Sequence, residues 1–149
     1  MKLVREHINE KFTDESDPIK DMGIGLIHKI EEWLDEMCIR NYTINDDFTI
    51  DIDNGRNSVN LTANITQIPD YIQFGTVHTS FFCNRCELTT FRGMPRRIDG
   101  IFGCSNNKIK TLDYIPREVC RSFFLEENSV KFTVRDIRSR CNVMGSIYV

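Results

Sequence analysis

One apolar register recurs along this chain at a fixed interval, and it limits the folds that the chain can adopt. The pattern apolar-x-apolar-x-x-Asn/Cys-x-apolar occurs three times in succession, each copy starting 21 residues after the one before. The copies are Phe81-x-Cys83-x-x-Cys86-x-Leu88, Phe102-x-Cys104-x-x-Asn107-x-Ile109 and Phe123-x-Leu125-x-x-Asn128-x-Val130. A fixed period in the twenties is typical of chains that stack equivalent turns around one continuous core. The sequence therefore predicts a solenoid.

The repeat extends before and beyond this central pattern. Val59-x-Leu61-x-x-Asn64 fits the first half of the pattern, in a degenerate copy 22 residues before the first clean unit. The two clean units also share the positions Thr90/Thr111, Phe91/Leu112, Pro95/Pro116 and Ile98/Val119. We therefore expect four repeats over residues 58–132, of which the first and the last are incomplete.

The spacing within each unit has a physical explanation. Two apolar residues that lie two positions apart point to the same face of a β-strand, which becomes the core side of a curved sheet. The Asn that follows turns the chain inward, and its amide satisfies backbone groups that the turn leaves unpaired, so that stacked copies form a ladder. Cys86 takes the Asn position in its unit, and Cys83 and Cys104 become core residues that behave as small hydrophobes. The repeat thus accounts for these three cysteines without any chemistry of their own.

An amphipathic helix is predicted before the repeats. Asp17-Pro18 is a typical helix start, because Asp caps free N–H groups and Pro fits the first turn. Apolar residues then recur at steps of three and four as far as Arg40-Asn41. The stripe consists of Ile19, Met22, Leu26, Ile27, Ile30, Trp33, Leu34, Met37 and Cys38. A solenoid exposes apolar surface at its first turn, and we expect this helix to cover it.

Shorter elements are predicted on both sides of the repeats. The loose spacing of Leu3, Val4, Ile8 and Phe12 favours a short helix within residues 1–16. The alternation over residues 48–52, followed by the turn signal Asp53-Asn54-Gly55, favours a hairpin from 48 to 61. At the other end, Thr133 is expected to cap a short helix over 133–141, and residues 147–149 are expected to form a strand that extends the sheet of Phe123 and Leu125. We therefore expect one α/β (α+β) solenoid domain over residues 1–149. Its parts are a helical segment (1–41), a capping hairpin or strand (42–57), the repeats (58–132) and a C-terminal helix-strand cap (133–149).

Composition and charge narrow the class of protein. The chain is 40% hydrophobic and 28% charged, which is ordinary for a soluble globular protein. No apolar run is long enough to span a membrane, and the beginning MKLVREHINEKF is too polar for a signal peptide. We therefore expect a cytoplasmic protein, without membrane contact, whose six cysteines remain free thiols. Residues 1–57 contain 7 Lys and Arg against 14 Asp and Glu, and residues 58–149 contain 12 against 8. This split predicts attraction between the two segments.

The repeat resembles the leucine-rich-repeat superfamily over roughly residues 58–132. More narrowly, it is similar to short phage and bacterial leucine-rich-repeat-like proteins, whose units have the form F-x-C-S-x-N-x-L-T-x-L-x-G-x-P-x-x-V. The residues that match this form are Phe102, Cys104, Ser105, Asn107, Ile109, Leu112, Pro116 and Val119. The flanks KFTDESDPIKDMGIG and NSVKFT…CNVMGSIYV also resemble those of such phage-encoded proteins.

The resemblance implies binding of a protein partner, without catalysis or a cofactor. The partner would be a host or phage protein, for example a host factor that this chain inhibits in the host cytoplasm, and the alternative role is a component of the virion. By register, the residues between the core positions face outward. The candidate partner-binding residues are Asn60, Phe82, Asn84, Ile101, Ser105, Phe124 and Glu126. Phe82 and Phe124 suggest an interface because they are apolar on a face that meets solvent. The alternatives are that a second copy covers them in a homodimer, or that the N-terminal helix covers them in a monomer.

Other functions have weaker support in the sequence. His7, His28 and His78 are scattered, and no nucleophile–base pair is visible. Cys83-x-x-Cys86 has zinc spacing but lacks two further ligands, and the acid pairs Asp46-Asp47 and Asp51/Asp53 lie near turns. A nucleic-acid-binding alternative depends on arginines of the return segments and the C-terminal cap. These are Arg92, Arg96, Arg97, Arg117, Arg121, Arg135, Arg138 and Arg140.

Overall fold

The computed structural model of the chain is a small β-solenoid of about four turns with mostly parallel sheets, and the residues that it describes form two helices. It describes residues 2–3 and 18–149, apart from 54–56 and 63. In chain order the strands are β1 Lys2–Leu3, β2 Tyr42–Asn45, β3 Ile50–Ile52, β4 Val59–Asn60, β5 Phe74–Val77, β6 Phe81–Phe82, β7 Arg97–Ile98, β8 Phe102–Gly103, β9 Glu118–Val119, β10 Phe123–Phe124, β11 Asn142–Val143 and β12 Ile147–Tyr148. The helices are α1 Pro18–Glu36 and α2 Val134–Arg138. The prediction of a solenoid is confirmed, and none of the described helices is long and apolar enough to cross a membrane.

The strands form two sheets where the repeat pattern predicted one. Sheet B has the order β12-β10-β8-β6-β4 and contains the repeat strands, with Phe81 beside Phe102 and Phe102 beside Phe123. Sheet A has the order β1-β2-β3-β5-β7-β9-β11 and includes the return segments. There Ile98 pairs with Val119, so these residues fill the core from a second sheet. Each turn therefore contributes two short strands that face each other across the core.

A column of phenylalanine rings runs along the core. Phe81, Phe102 and Phe123 are fully buried, and their ring centroids lie 6.3 Å and 5.1 Å apart from one neighbour to the next. Phe74 of sheet A continues the column with an edge contact of 5.3 Å to Phe81. Full burial of one such side chain contributes about 1.5–3 kcal/mol. Because every ring contacts the rings of neighbouring turns, the column stabilises the stacking of the turns as well as the core.

Helix α1 lies at the beginning of the solenoid, as a cap is expected to. Its residues Ile30 and Leu34 are fully buried, and the ring of Trp33 lies 6.2 Å from that of Phe74. The predicted stripe is too wide, because Met22 and Cys38 are exposed. The predicted end near Arg40-Asn41 is also wrong, since the helix ends at Glu36.

The early end of α1 has a local cause. Cys38 adopts a left-handed conformation with φ 58°, which a continuing helix does not allow. The amide of Cys38 donates to the carbonyl of Asp35 (3.0 Å) and that of Ile39 donates to the carbonyl of Leu34 (2.8 Å). These two bonds make a Schellman cap, which is usually built around Gly and therefore gave no signal in the sequence.

The capping hairpin is formed by other residues than those predicted. Strand β3 pairs antiparallel with β2, with Ile50 beside Ile44, whereas β4 pairs in parallel with β6. The hairpin therefore covers residues 42–52, and the prediction of a hairpin from 48 to 61 is wrong. Asp47 closes its turn by accepting hydrogen bonds from the amide (3.1 Å) and hydroxyl (2.6 Å) of Thr49. The sequence predicted strand β3 but did not indicate which strand it would pair with.

The remaining predictions for the two ends have mixed outcomes. Leu3 lies in β1, antiparallel to β2, and not in the predicted short helix. The positions Val4, Ile8 and Phe12 lie outside the described residues, as do Asn54-Gly55. At the other end, Thr133 caps α2, as predicted, and it also forms a reciprocal capping box with Asp136. The helix ends at Arg138, before the predicted end at 141. Strand β12 pairs in parallel with β10, which confirms the predicted extension of the sheet.

The side chain of Asn107 links two neighbouring turns. It is buried, and its Oδ1 accepts from the amides of Cys86 and Leu88, both at 3.0 Å. Its Nδ2 donates to the carbonyls of Cys83 (2.9 Å) and Cys104 (3.2 Å). Asn128 repeats this arrangement one turn later, where its Oδ1 accepts from the amide of Ile109 at 3.0 Å. In the degenerate first unit, by contrast, Asn64 is exposed.

Replacement of Asn107 tests this link. Asn107→Ala leaves two buried amides and a carbonyl without partners, and we expect it to reduce the free energy of unfolding by about 3 kcal/mol. Asn142→Ala, at an exposed position in β11, is the matched control and should change it by less than about 0.5 kcal/mol. Urea denaturation followed by circular dichroism measures both. Equal midpoints for the two variants would contradict the link.

Candidate interaction site

The outer face of sheet B carries a column of outward-facing residues in parallel register. Asn60 lies beside Phe82, Phe82 beside Gly103, Gly103 beside Phe124, and Phe124 beside Tyr148. Phe82 and Phe124 are half-buried, and Tyr148 is 45% exposed. The structure thus brings together two of the predicted aromatic residues with a third that the sequence analysis missed. The signal was available, because the predicted pairing of 147–149 with 123–125 already places Tyr148 beside Phe124.

Two of the three rings contact each other, and the third lies over the glycine between them. Phe124 and Tyr148 are stacked, with centroids 4.5 Å apart and planes inclined by 6°. Phe82 leans over Gly103, so that a Cβ at position 103 would lie 2.7 Å from its Cδ1. Gly103 therefore provides the space that the ring of Phe82 occupies. Helix α1, an alternative cover for the phenylalanines, instead packs Trp33 against Phe74.

Polar side chains beside the aromatic column bind the backbone of the following turn. Asn84 accepts from the amide of Ser105 at 2.8 Å, and Ser105 accepts through Oγ from the amide of Glu126 at 3.1 Å. Ser105 is only 9% exposed, so its main role is to hold the next turn in place, and little of it is available for contact with a partner. Asn84, Glu126 and Asn60 are exposed, and Ile101 is half-buried at the corner before β8. Of the predicted site residues, Ser105 is therefore the least accessible.

An open hollow of about 410 Å³ adjoins the aromatic column. Its lining residues are Asn84, Arg85, Ser105, Asn106 and Phe124. Arg85 and Asn106 were missed as candidates, and both have left-handed backbone with φ 58°. Glu127, one unit later, has φ 54°. The same corner of each unit thus presents a side chain from a left-handed residue, and the period of 21 residues is the signal that relates the three.

The outer face of sheet A contains an ionic cluster that the sequence analysis also missed. Arg97 donates from Nε to Asp99 (2.8 Å) and from Nη1 to Glu118 (2.9 Å), and Nδ1 of His78 lies 2.8 Å from the other oxygen of Asp99. Burial acts to raise the pKa of Asp99, but the hydrogen bonds from Arg97 and His78 outweigh it and hold this pKa below its usual value. The residues come from three consecutive turns, so the cluster joins the turns across their outer edge.

Cys120 lies beside this cluster, and its environment favours the thiol. Its Sγ is 3.9 Å from Asp99 and 3.5 Å from Nη2 of Arg97. Burial, together with the carboxylates of Asp99 and Glu118, raises the pKa of Cys120 despite the nearby Arg97. Since the thiolate is the nucleophilic form, the cluster does not activate this cysteine.

The repeat cysteines are buried, as the register predicts. The Sγ of Cys83 donates to the carbonyl of Gly103 (3.3 Å), and that of Cys86 to the carbonyl of Leu61 (3.1 Å). Burial raises the pKa of both thiols, and it raises the pKa of Cys141 to about 12. Within the described ranges, no group of three or more His, Cys, Asp or Glu side chains is arranged to hold a metal ion. In the predicted acid pairs, Asp47 closes the hairpin turn and Asp51 accepts from the amide of Thr76 at 2.9 Å.

Half of the arginines that suggested nucleic-acid binding are engaged within the chain. Arg92 lies near Asp70, Arg97 pairs with Asp99 and Glu118, Arg138 donates to the carbonyls of Val143 and Gly145, and Arg140 pairs with Asp113. The exposed arginines outside these contacts are Arg96, Arg117, Arg121 and Arg135. The acidic partners reduce the positive charge that a phosphate backbone would meet.

Thiol accessibility tests the placement of the cysteines. Cys38 is exposed, Cys120 is half-buried and the other four are buried, so iodoacetamide at pH 8 should modify Cys38 first and Cys120 more slowly. The buried thiols should react only in denaturant, because the folded protein keeps the reagent from reaching them. Intact-mass measurement follows the reaction, and Cys38→Ser should remove the fast phase. Rapid modification of Cys83 or Cys104 in the folded protein would contradict this placement.

The ionic cluster predicts a pH dependence of stability. Because the pKa of Asp99 is lowered in the folded protein, its ion pairs should stabilise the fold above about pH 4, the ordinary pKa of an aspartate. This contribution should disappear as the pH falls through the lowered pKa. The difference in urea midpoint between the wild type and Asp99→Asn should therefore be present at pH 7 and shrink towards pH 2. A difference that does not vary with pH would show that the charge of Asp99 does not matter.

Comparison with known proteins found no relative of this chain. The chain matches no protein-family model, no curated protein and no solved structure. What the two outer faces can bind is therefore inferred from their own chemistry.

Proposed function

We propose that this chain is a non-enzymatic protein-interaction module that binds its partner on the outer face of sheet B. The observation that carries the proposal is the column of partly exposed aromatic rings, Phe82, Phe124 and Tyr148, on that face. Aromatic side chains are enriched among the residues that contribute most to protein–protein binding. Single exposed apolar residues are ordinary on a protein surface, but here three rings share one column, with Phe124 stacked on Tyr148 and Phe82 lying over Gly103 beside them. We interpret them as one apolar patch.

The face is supported by a rigid core, which favours binding without reorganisation. Directly behind Phe82 and Phe124 in the chain lie the inward-facing Phe81 and Phe123, both fully buried. The stacking of Phe124 on Tyr148 restricts both rings before any partner arrives. Restriction of side chains before binding reduces the entropy that binding would otherwise cost. Exposed polar residues, among them Asn84, Arg85 and Glu126, surround the rings and supply the polar rim that interfaces commonly have.

The resemblance of the repeats suggests the kind of partner. The units have Cys86, Asn107 and Asn128 at the position where leucine-rich repeats have Asn or Cys, and their sequence pattern resembles that of short phage and bacterial leucine-rich-repeat-like proteins. We therefore propose a leucine-rich-repeat-like, phage-encoded protein that acts in the host cytoplasm. Its partner would be a host or phage protein, for example a host factor that it inhibits.

A double substitution on this face tests the proposal. Phe82→Ser with Phe124→Ser removes two rings that face outward, while the core phenylalanines remain. Tyr114→Ser is the matched control, because Tyr114 is 66% exposed on a return segment away from sheet B. Each variant serves as bait in bacterial lysate, and captured proteins are identified by mass spectrometry. If each ring contributes about 2 kcal/mol, the double variant should bind roughly a thousandfold more weakly.

The expected result is one partner that the wild type and Tyr114→Ser both retain and the double variant loses. Unchanged far-ultraviolet circular dichroism and urea midpoint would show that the double variant is folded. Equal recovery of the partner by all three proteins would exclude the outer face of sheet B as the binding surface.

A further inference from the structure

The two sheets end at different levels on the N-terminal side of the solenoid. Strands β3 and β4 belong to the same turn, since they pair with β5 and β6 of the next one. Sheet A continues past β3 with β2 and β1, whereas sheet B ends at β4. Within the part of the chain that is described, β4 pairs with β6 alone. A step therefore exists beside β4, where sheet A extends further than sheet B.

The backbone of β4 directs hydrogen-bonding groups into this step. The amides of Val59 and Leu61 donate to the carbonyls of Ser80, just before β6, and Phe82 in β6, at 2.9 Å and 2.8 Å. In a parallel ladder, successive residues direct their N–H and C=O groups to opposite sides of the strand. The N–H and C=O of Asn60 therefore point away from β6. The side chain of Asn60 donates to the carbonyl of Ser58 at 3.2 Å, so an amide of the chain itself already occupies one outward-facing acceptor.

A groove of about 450 Å³ lies in the step, which is within the range of ligand sites, about 300–1,000 Å³. We call it the β4 groove. Its apolar lining residues are Met37, Ile39, Ile52 and Val59, and its polar lining residues include Asn41, Asp53, Asn57, Asn60 and Thr62. The segment after α1 forms one wall, because the left-handed residues Cys38 and Asn41 turn the chain there. The groove thus has an outward-facing strand on one side and apolar side chains for a second contact.

We propose that the β4 groove binds an extended peptide segment of another protein, which adds to sheet B as a further strand beside β4. Addition of a strand to a sheet edge is a general mode of peptide recognition, in which the backbone supplies affinity and alternate side chains supply specificity. Here the N–H and C=O of Asn60 pair with the incoming backbone. Every second side chain of the peptide turns inward towards Met37, which is half-buried, and towards the small exposed parts of Ile39 and Val59. The segment therefore has alternating apolar residues.

The shape of the step favours a single strand over a second copy of this chain. Strands β11 and β12 end both sheets in the same turn, so the last turn of another copy would bring two strand edges together. Its sheet-A edge would meet the wall formed by residues 37–41 and the extra strands β1 and β2. A lone strand needs only the space beside β4. Asn60 borders both sites, but the groove uses its backbone at the edge of sheet B, whereas the proposed partner face uses the rings of Phe82, Phe124 and Tyr148. One proposal can therefore fail without the other.

The test uses a fluorescein-labelled probe peptide with the sequence Lys-Thr-Val-Thr-Val-Thr-Lys, acetylated and amidated, and fluorescence anisotropy with the full chain. Asn60→Pro removes the outward N–H, while the amides of Val59 and Leu61 that pair with β6 remain. Pro is tolerated in an edge strand at such a position. Asn60→Ala is the matched control, because it retains the N–H and uncovers the carbonyl of Ser58. We expect Asn60→Pro to bind the peptide at least tenfold more weakly and Asn60→Ala to bind it as well as the wild type or better.

Two further peptides keep the test decisive if Asn60→Pro does not fold. One carries N-methyl groups on both valines and the other on the first two threonines. A strand that pairs at one edge uses the N–H groups of alternate residues only, so one methylated peptide should lose binding and the other should retain it. Equal binding of both, equal binding to wild type and Asn60→Pro, or no binding at about 1 mM peptide would overturn the proposal. Concentration-dependent dimerisation of the free chain that Asn60→Pro abolishes would also overturn it, because the occupant would then be a second copy.

Discussion

The stacking of equivalent residues in parallel register is the constraint on which the rest of this molecule depends. A step of 21 residues places Phe102 against Phe81 and Phe123, and the same step brings Asn107 to the backbone of the preceding turn. A shift of one residue would turn every inward side chain outward, because side chains alternate along a strand. The core, the buried amide links and both outer faces are therefore consequences of a single alignment. An insertion within one unit would disturb all of them at once, whereas a substitution on an outer face leaves the alignment intact.

The periodic part of the fold was predictable because burial and hydrogen bonding repeat with the sequence. Phe81, Cys83, Leu88 and most of their equivalents must be apolar to fill the core, and so they reveal their own positions. The exception is Val130 in the incomplete last unit, which was predicted as a core position but is 42% exposed. The second sheet was not predictable, since a return strand such as Arg97–Ile98 contains a single core residue and so leaves no alternation to detect. The end of α1 also escaped prediction, because Cys38 adopts a backbone conformation that Gly or Asn usually signals. The strands beside β3 are determined by tertiary packing, and nothing in the local sequence of residues 48–52 encodes them.

The candidate sites show the same division between periodic and individual properties. Register alone placed Phe82 and Phe124 on the outer face and, followed one strand further, would have placed Tyr148 there too. The same register aligns His78 with Asp99 and Arg97 with Glu118, so the ionic cluster could have been inferred from the period. The degree of burial could not be inferred. Ser105 is buried, and its hydroxyl accepts from the amide of Glu126 in the next turn, but its neighbours in the sequence do not indicate this bond. The step beside β4 depends on a difference in strand number between the two sheets, which no single repeat contains.

The left-handed corner beside the aromatic column has a consequence for how a partner would lie. Successive turns present Arg85, Asn106 and Glu127 at this corner, which are positive, neutral and negative along the solenoid axis. Non-glycine residues in this conformation cost about 1–2 kcal/mol each, and Gly would remove that strain. The corner nevertheless keeps three different side chains, so the charge along the edge of the outer face of sheet B changes from positive to negative. A partner with the opposite order of charges would be attracted in one orientation along the axis and repelled in the reverse one. This row of corners can therefore determine in which direction a partner binds along the solenoid.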